Sequence, residues 1–325
     1  MRKRILISVV LVLALIVGLC GCYVKFPTFG SRIHLSERYL DKAKGTKDKI
    51  VLIPLSGIIT SSSSRGTFSS SSNMVETLGM QLEKARRDKR VKGVIININS
   101  PGGQVTASEI IFHKIMKFKK ERSVPVVILM GDVAASGAYY ISMAGDRIIA
   151  HPSSITGSVG VISMFFNLRG LMDKIGVDVV TLKTGEMKDV GSFARPMKDE
   201  ERAYMMRILN ELYELFLDRI LSNRTELTRE ELLELADGRV YTAKQALEAK
   251  LIDEIGFFED AVSAVKQESN VAAASIVAYE WPWHHKYDVY SMMNSGRPID
   301  INLLKLDIGT LDSFGRPGFY YIWAE

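Results

Sequence analysis

Gly131-Asp132-Val133-Ala134-Ala135-Ser136-Gly137-Ala138-Tyr139-Tyr140 is the stretch whose reading decides the fold. An apolar, β-branched run precedes it at residues 124–130, interrupted only by Pro125. A short run of that kind, bounded by glycine, reads as a buried strand. The small residues after it turn into a segment that can be helical through Met143. Ser136 therefore sits where a strand turns sharply into a helix, among side chains small enough for a ligand to approach the backbone. Two roles suit a serine there. It can cap the helix through its hydroxyl, or it can present that hydroxyl as a nucleophile. The stretch alone leaves both open.

Composition narrows the class. The 325 residues are 47% hydrophobic and 24% charged, a globular balance with a sizeable core. The net charge of +5 owes part of its excess to Arg2-Lys3-Arg4. No basic cluster interleaved with aromatic residues follows, so no nucleic-acid partner is expected. Lys117, Lys119, Lys120 and Arg122 close a predicted helix, where positive charge suits the dipole. Both cysteines, Cys20 and Cys22, lie near the N-terminus, and the five histidines lack ligand spacing. Neither a metal nor a cofactor is expected.

Outward from the central stretch, the chain reads as alternating strands and helices. Strands are predicted at 50–55, 93–98, 146–150 and 177–182. Helices are predicted at 74–87, 104–120, 168–175, 199–221, 229–236, 242–249 and 257–266, each carrying an apolar stripe or a helix signal. Such alternation predicts an α/β fold with a largely parallel sheet and a helical part after it. The serine-rich residues 61–72 read as a loop. Arg2-Lys3-Arg4 and the apolar residues 5–19 form a secretory-type signal, short for a spanning helix. The expected organisation is a signal at 1–22, a tether at 23–48, a compact body at 49–270 and an irregular extension at 271–325. That extension holds Gly318-Phe319-Tyr320-Tyr321-Ile322-Trp323, too apolar to float free in water.

The chemistry requires a base for Ser136. No histidine stands out, and an ordinary lysine, with a pKa near 10.4, is neutral near pH 7 only if burial or like charge shifts it by about 3 units, roughly 4 kcal/mol. A second strand ends in Asn99-Ser100-Pro101-Gly102-Gly103 and passes into a helix. Gly103 can offer a backbone N–H to an oxyanion there, although Pro-Gly-Gly also makes a tight turn anywhere.

These residues, in this order, resemble the SppA signal peptide peptidase family in its short, single-copy bacterial form. The resemblance covers residues 50–265. Ser136, within Ala134-Ala135-Ser136-Gly137-Ala138-Tyr139-Tyr140, matches the nucleophile. Lys188, 52 residues on, within Thr184-Gly185-Glu186-Met187-Lys188-Asp189, matches the lysine base. Ser158, in Thr156-Gly157-Ser158-Val159-Gly160-Val161, matches the serine that orients the lysine, and Asn99 to Gly103 resembles the oxyanion loop, with Gly137 as second donor. Leu19-Cys20-Gly21-Cys22 resembles a lipoprotein signal, with Cys22 as lipid attachment; the alternative is an uncleaved anchor.

The resemblance implies a Clp-protease/crotonase-type fold of stacked β-β-α units. It implies a ring- or bowl-shaped homo-oligomer in the cell envelope, anchored outside the cytoplasm and digesting cleaved signal peptides. Two other readings fit the fold: a crotonase-type acyl-transfer enzyme and a non-catalytic membrane scaffold. Three positions depart from the family pattern: Lys198 and Ala243 at helix starts, and Lys250, where a helix-ending glycine is usual.

Overall fold

The computed structural model describes residues 35–61, 73–281 and 318–323. The signal segment with Cys22 and the serine-rich residues 62–72 lie outside these. The strands are β1 (Ser36–Asp41), β2 (Lys49–Ser56), β3 (Val91–Ser100), β4 (Gly102–Gln104), β5 (Val126–Ala135), β6 (Arg147–Ala150), β7 (Ile155–Gly157), β8 (Val240–Thr242), β9 (Glu254–Ile255), β10 (Ser275–Glu280) and β11 (Tyr320–Ile322). The helices are α1 (Met74–Arg87), α2 (Val105–Arg122), α3 (Gly137–Ser142), α4 (Arg169–Ile175), α5 (Asp199–Asn223), α6 (Arg229–Leu235), α7 (Ala243–Glu248) and α8 (Phe258–Glu268).

The main sheet runs β1-β10-β2-β3-β5-β6-β9, parallel from β10 through β9, with β7 beside the far end of β5. Its central strands are Ile/Val runs because both faces are covered. Val51, Ile53, Val94, Ile96 and Ile128 pack into the larger core, which takes in α1 and α2. Ile50, Leu52, Ile95, Val127 and Leu129 pack against Phe258, Ala261 and Val265 of α8. This is the crossover α/β architecture that the alternation predicts.

Three expectations change. The tether expected at 23–48 contains β1, so Ser36–Asp41 belong to the compact body. Charge fixes this strand: buried Lys49 lies 2.6 Å from Glu37 and 3.0 Å from Asp88, and Arg38 pairs with Glu280 at 2.9 Å. The extension expected from residue 271 holds β10, which lies between β1 and β2 inside the sheet, and β11, which pairs with β4. The strand expected at 177–182 does not form. Its side chains face solvent, with Val180 84% and Leu182 94% exposed. Among the described residues no strand lies beside it to form a ladder; the Val177 N–H turns back to the Met172 carbonyl at 3.1 Å instead.

Lys250 takes the left-handed conformation expected of that position, with φ 58°, and the Leu251 N–H closes the turn on the Ala246 carbonyl at 2.8 Å. A lysine held there is strained relative to glycine. Lys250→Gly should raise stability by about 0.5–1 kcal/mol, read as a higher denaturation midpoint with an unchanged m-value. An unchanged or lower midpoint would mean that the Cβ is not strained.

Candidate active site

Strand β5 carries the chain to Ser136 and holds it there tightly. The Ser136 N–H donates to the Gly157 carbonyl at 2.7 Å, and the Ser136 carbonyl accepts from the Tyr140 N–H at 2.8 Å. Between these bonds the residue has φ 53° and ψ −114°. For a side-chain-bearing residue such backbone costs on the order of 1–3 kcal/mol and persists only where its surroundings enforce it. The hydroxyl makes no cap hydrogen bond to α3. Its Oγ is buried and has no hydrogen-bond partner among the described residues. A capping serine would satisfy an amide of the first turn, so of the two roles open in the sequence the cap is excluded.

The turn facing Ser136 is built residue by residue. The register between β3 and β5 shifts between Ile98 and Ser100, and Asn99 bridges the gap. Its Oδ1 accepts from the Val133 N–H at 3.2 Å, and its Nδ2 donates to Asp132 at 3.2 Å. Ser100 Oγ accepts the Gly102 N–H at 3.1 Å and turns the chain. A Cβ on Gly103 would fall 2.0 Å from the Ile59 carbonyl oxygen, so only glycine lets these two backbones approach. A Cβ on Gly137 would fall 2.6 Å from Ser108 Oγ and 3.3 Å from the Gly103 nitrogen. The expected donors Gly103 and Gly137 thus lie side by side next to Ser136.

A short strand already lies across them. Tyr320, Tyr321 and Ile322 pair antiparallel with Gln104, Gly103 and Gly102. The Val105 N–H donates to Phe319 at 3.3 Å, and the Trp323 N–H donates to Pro101 at 2.8 Å. Those flanking bonds make Tyr321 and Gly103 the hydrogen-bonded pair of the ladder. The carbonyl of Tyr321 therefore faces the donors, and a Cβ on Gly137 would come within 3.0 Å of its oxygen. On its other edge the same strand exchanges two 3.0 Å bonds between Tyr320 and Ile162. The apolar pattern at 318–323 signalled burial; the sequence held no sign of where.

Ser158 follows Gly157, the residue that fixes the Ser136 amide. It also has positive φ, 51°, and its N–H donates to the Arg239 carbonyl at 2.8 Å. Lys188 lies on a 3₁₀ turn, Glu186–Asp189, and is exposed; it is not bonded to Ser136. The structure therefore brings Ser136, Gly103, Gly137 and Ser158 together, while Lys188 is exposed and makes no hydrogen bond to the Ser136 hydroxyl.

The turn that carries Lys188 is braced by a cluster that sequence reading did not single out. Arg195 holds Asp189 through two 2.8 Å bonds and also pairs with Glu201, while Lys183 reaches Asp189 at 3.0 Å. Glu201 also accepts the Lys198 N–H at 2.9 Å, the bond from the third helical residue back to the N-cap amide, while the N-cap itself makes no side-chain cap bond. The Arg195 bonds, ahead of the Lys198 amide, hold the Glu201 carboxyl down to about 2, and Arg195 and Lys183 hold Asp189 lower still than the usual carboxylate range. Because the folded values are depressed, this brace is fully present above the ordinary glutamate value of 4.5 and is lost as pH falls through about 2.

Residues 118–272 match Peptidase family S49, and residues 67–156 match the Clp protease family. A protein named putative signal peptide peptidase SppA, from Enterococcus faecium, is 35% identical over 252 residues, 78% of this chain and 72% of that one. The chain belongs to peptidase family S49. It is a serine peptidase, and its parallel-rich α/β architecture is that of the Clp-protease/crotonase type. A putative protease of Methanocaldococcus jannaschii is 40% identical over 198 residues, covering 61% of this chain and 63% of its own length. The chloroplastic serine protease SPPA of Arabidopsis thaliana is 34% identical over 228 residues, 70% of this chain and 33% of that protein.

Proposed function

We propose that this protein is a membrane-anchored endopeptidase with a Ser/Lys dyad that degrades cleaved signal peptides and similar apolar peptides. The observation that carries this reading is the Ser136 hydroxyl, buried without a hydrogen-bond partner among the described residues, in a strained turn beside a carbonyl seated at Gly103. A peptide substrate adds to Gly102–Gln104 as an antiparallel strand, along the path taken by the chain's own residues 318–323. Backbone hydrogen bonding then provides affinity without demanding a sequence.

The Ser136 oxygen attacks the carbonyl carbon and passes its proton to the neutral amine of Lys188, oriented by Ser158. The charge that forms on the oxygen is met by the N–H groups of Gly103 and Gly137. The ammonium then returns the proton to the departing nitrogen, and water releases the acyl group from Ser136 by the same route.

Lys188 reaches Ser136 from a neighbouring copy in a ring- or bowl-shaped homo-oligomer. Support comes from the exposed lysine and from the apolar side chains that flank it in the sequence, Val177, Val179, Val180, Leu182 and Phe193, which face solvent in a single chain. Surface of that kind marks an interaction site. Anchoring through acylated Cys22, or through an uncleaved signal anchor, places the body outside the cytoplasm beside the bilayer, where cleaved signal peptides remain. Intact-mass analysis of a synthetic signal peptide incubated with the full-length protein in detergent tests the reading. Internal cleavage products are expected; an uncut peptide would overturn it.

A further inference from the structure

The side chain of Tyr321 fills a closed aromatic pocket next to Ser136. It stacks on Tyr140, with centroids 5.4 Å apart and planes 25° apart, and leans on Phe216 at 4.7 Å. Its hydroxyl donates to the Leu212 carbonyl at 2.7 Å. The carbonyl of the same residue faces Gly103 and Gly137. The residue whose side chain enters this pocket is therefore the one whose carbonyl Ser136 would attack.

Helix α5 forms one wall, because Leu212, Phe216 and Arg219 recur at helical spacing and share a face. The other wall is Tyr140, four residues after Ser136. Tyr140 meets Phe112 and Phe216 edge-on at 5.6 Å and 5.3 Å, contacts that fill space but let a ring slide. Its fully buried ring has one polar handle, the hydroxyl, and Arg219 Nε donates to it at 3.1 Å. The guanidinium is itself held from outside the pocket. It lies over the Phe112 ring at 4.8 Å and within 3.8 Å of Glu109, on the border of an open groove of about 890 Å³ shared with His113, Met116 and Asp146.

We propose that Arg219 is a positioning residue that sets the cleft's preference for an aromatic side chain at the cleaved residue, by fixing Tyr140 as the stacking wall. This rests on the peptidase reading above. The hydrogen bonds of Arg219 go to Tyr140 and not to Ser136 or Tyr321, so its positioning effect passes through the Tyr140 ring. A buried phenol that loses its donor seeks another partner, and the ring that carries it moves.

The test uses two peptides that differ only in tyrosine or leucine at the cleaved residue. Arg219→Met keeps the length of the side chain and removes the donor. It should lower kcat/KM for the tyrosine peptide about tenfold, mainly through KM, and leave the leucine peptide within about twofold. Tyr140→Phe added to Arg219→Met removes the hydroxyl as well, and should recover most of the loss, since deleting both partners leaves nothing unpaired. Hydrogen exchange at residues 318–323 gives a reading independent of turnover: faster in Arg219→Met and restored in the double variant. Equal losses on both peptides, a double variant no better than the single one, or unchanged exchange would overturn the inference. Wild-type protein that cleaves neither peptide would overturn the peptidase reading instead, and the exchange result would still decide whether Arg219 fixes the pocket.

Discussion

Ser136→Ala is expected to abolish peptide cleavage, with residual turnover at least about a thousandfold below wild type, as when a covalent nucleophile is removed. The hydroxyl makes no hydrogen bond among the described residues, so the change deletes none of these. Alanine has the same backbone constraints as serine, and the amide and carbonyl bonds to Gly157 and Tyr140 stay in place. Thermal unfolding and oligomer size should therefore match wild type while product formation, read by mass spectrometry, disappears. Cleavage at the wild-type rate would remove Ser136 from the chemistry. Lost activity with a large fall in melting temperature would give the residue a structural role.

Lys188→Arg should be as inactive as Ser136→Ala. Arginine keeps the positive charge and much of the reach, but it does not release a proton under any condition in which the protein is folded, so it cannot accept one from Ser136. A variant with near-wild-type turnover would mean that residue 188 only supplies charge. The same variant tests where the lysine comes from. Mixing inactive Ser136→Ala with inactive Lys188→Arg protein, under conditions that exchange subunits, places intact Ser136 and intact Lys188 in neighbouring copies. Recovery to about a quarter of wild-type activity is the statistical expectation for random mixing of a dyad shared between two copies. Strictly additive inactivity would place the whole dyad within one chain.

Much of this could be read in the sequence, for physical reasons that differ by element. The central strands carry a pattern that only a doubly covered parallel sheet explains, and Val126–Ala135 behaves accordingly. Gly103 and Gly137 were legible because close backbone approach leaves no room for a Cβ. Strand β1 was hidden because its residues, Ser36-Glu37-Arg38-Tyr39-Leu40-Asp41, are polar, and their order comes from ion pairs with Lys49 and Glu280, distant in the chain. The run at 177–182 misled for the opposite reason: β-branched residues favour a strand only when a neighbour supplies the ladder. The placement of β11 was invisible, since pairing with Gly102–Gln104 joins residues more than two hundred positions apart and leaves no local signature.

The backbone at Ser136 has a further consequence. A φ of 53° with a ψ of −114° suits glycine far better than serine, so the fold would be more stable without the side chain that the chemistry needs. Stability and activity are set against each other at this one position. Selection for a more robust protein alone would favour glycine at residue 136; selection for turnover keeps serine. The rest of the sheet must supply the difference, and the buried aliphatic core of β2, β3 and β5 is where that reserve is held.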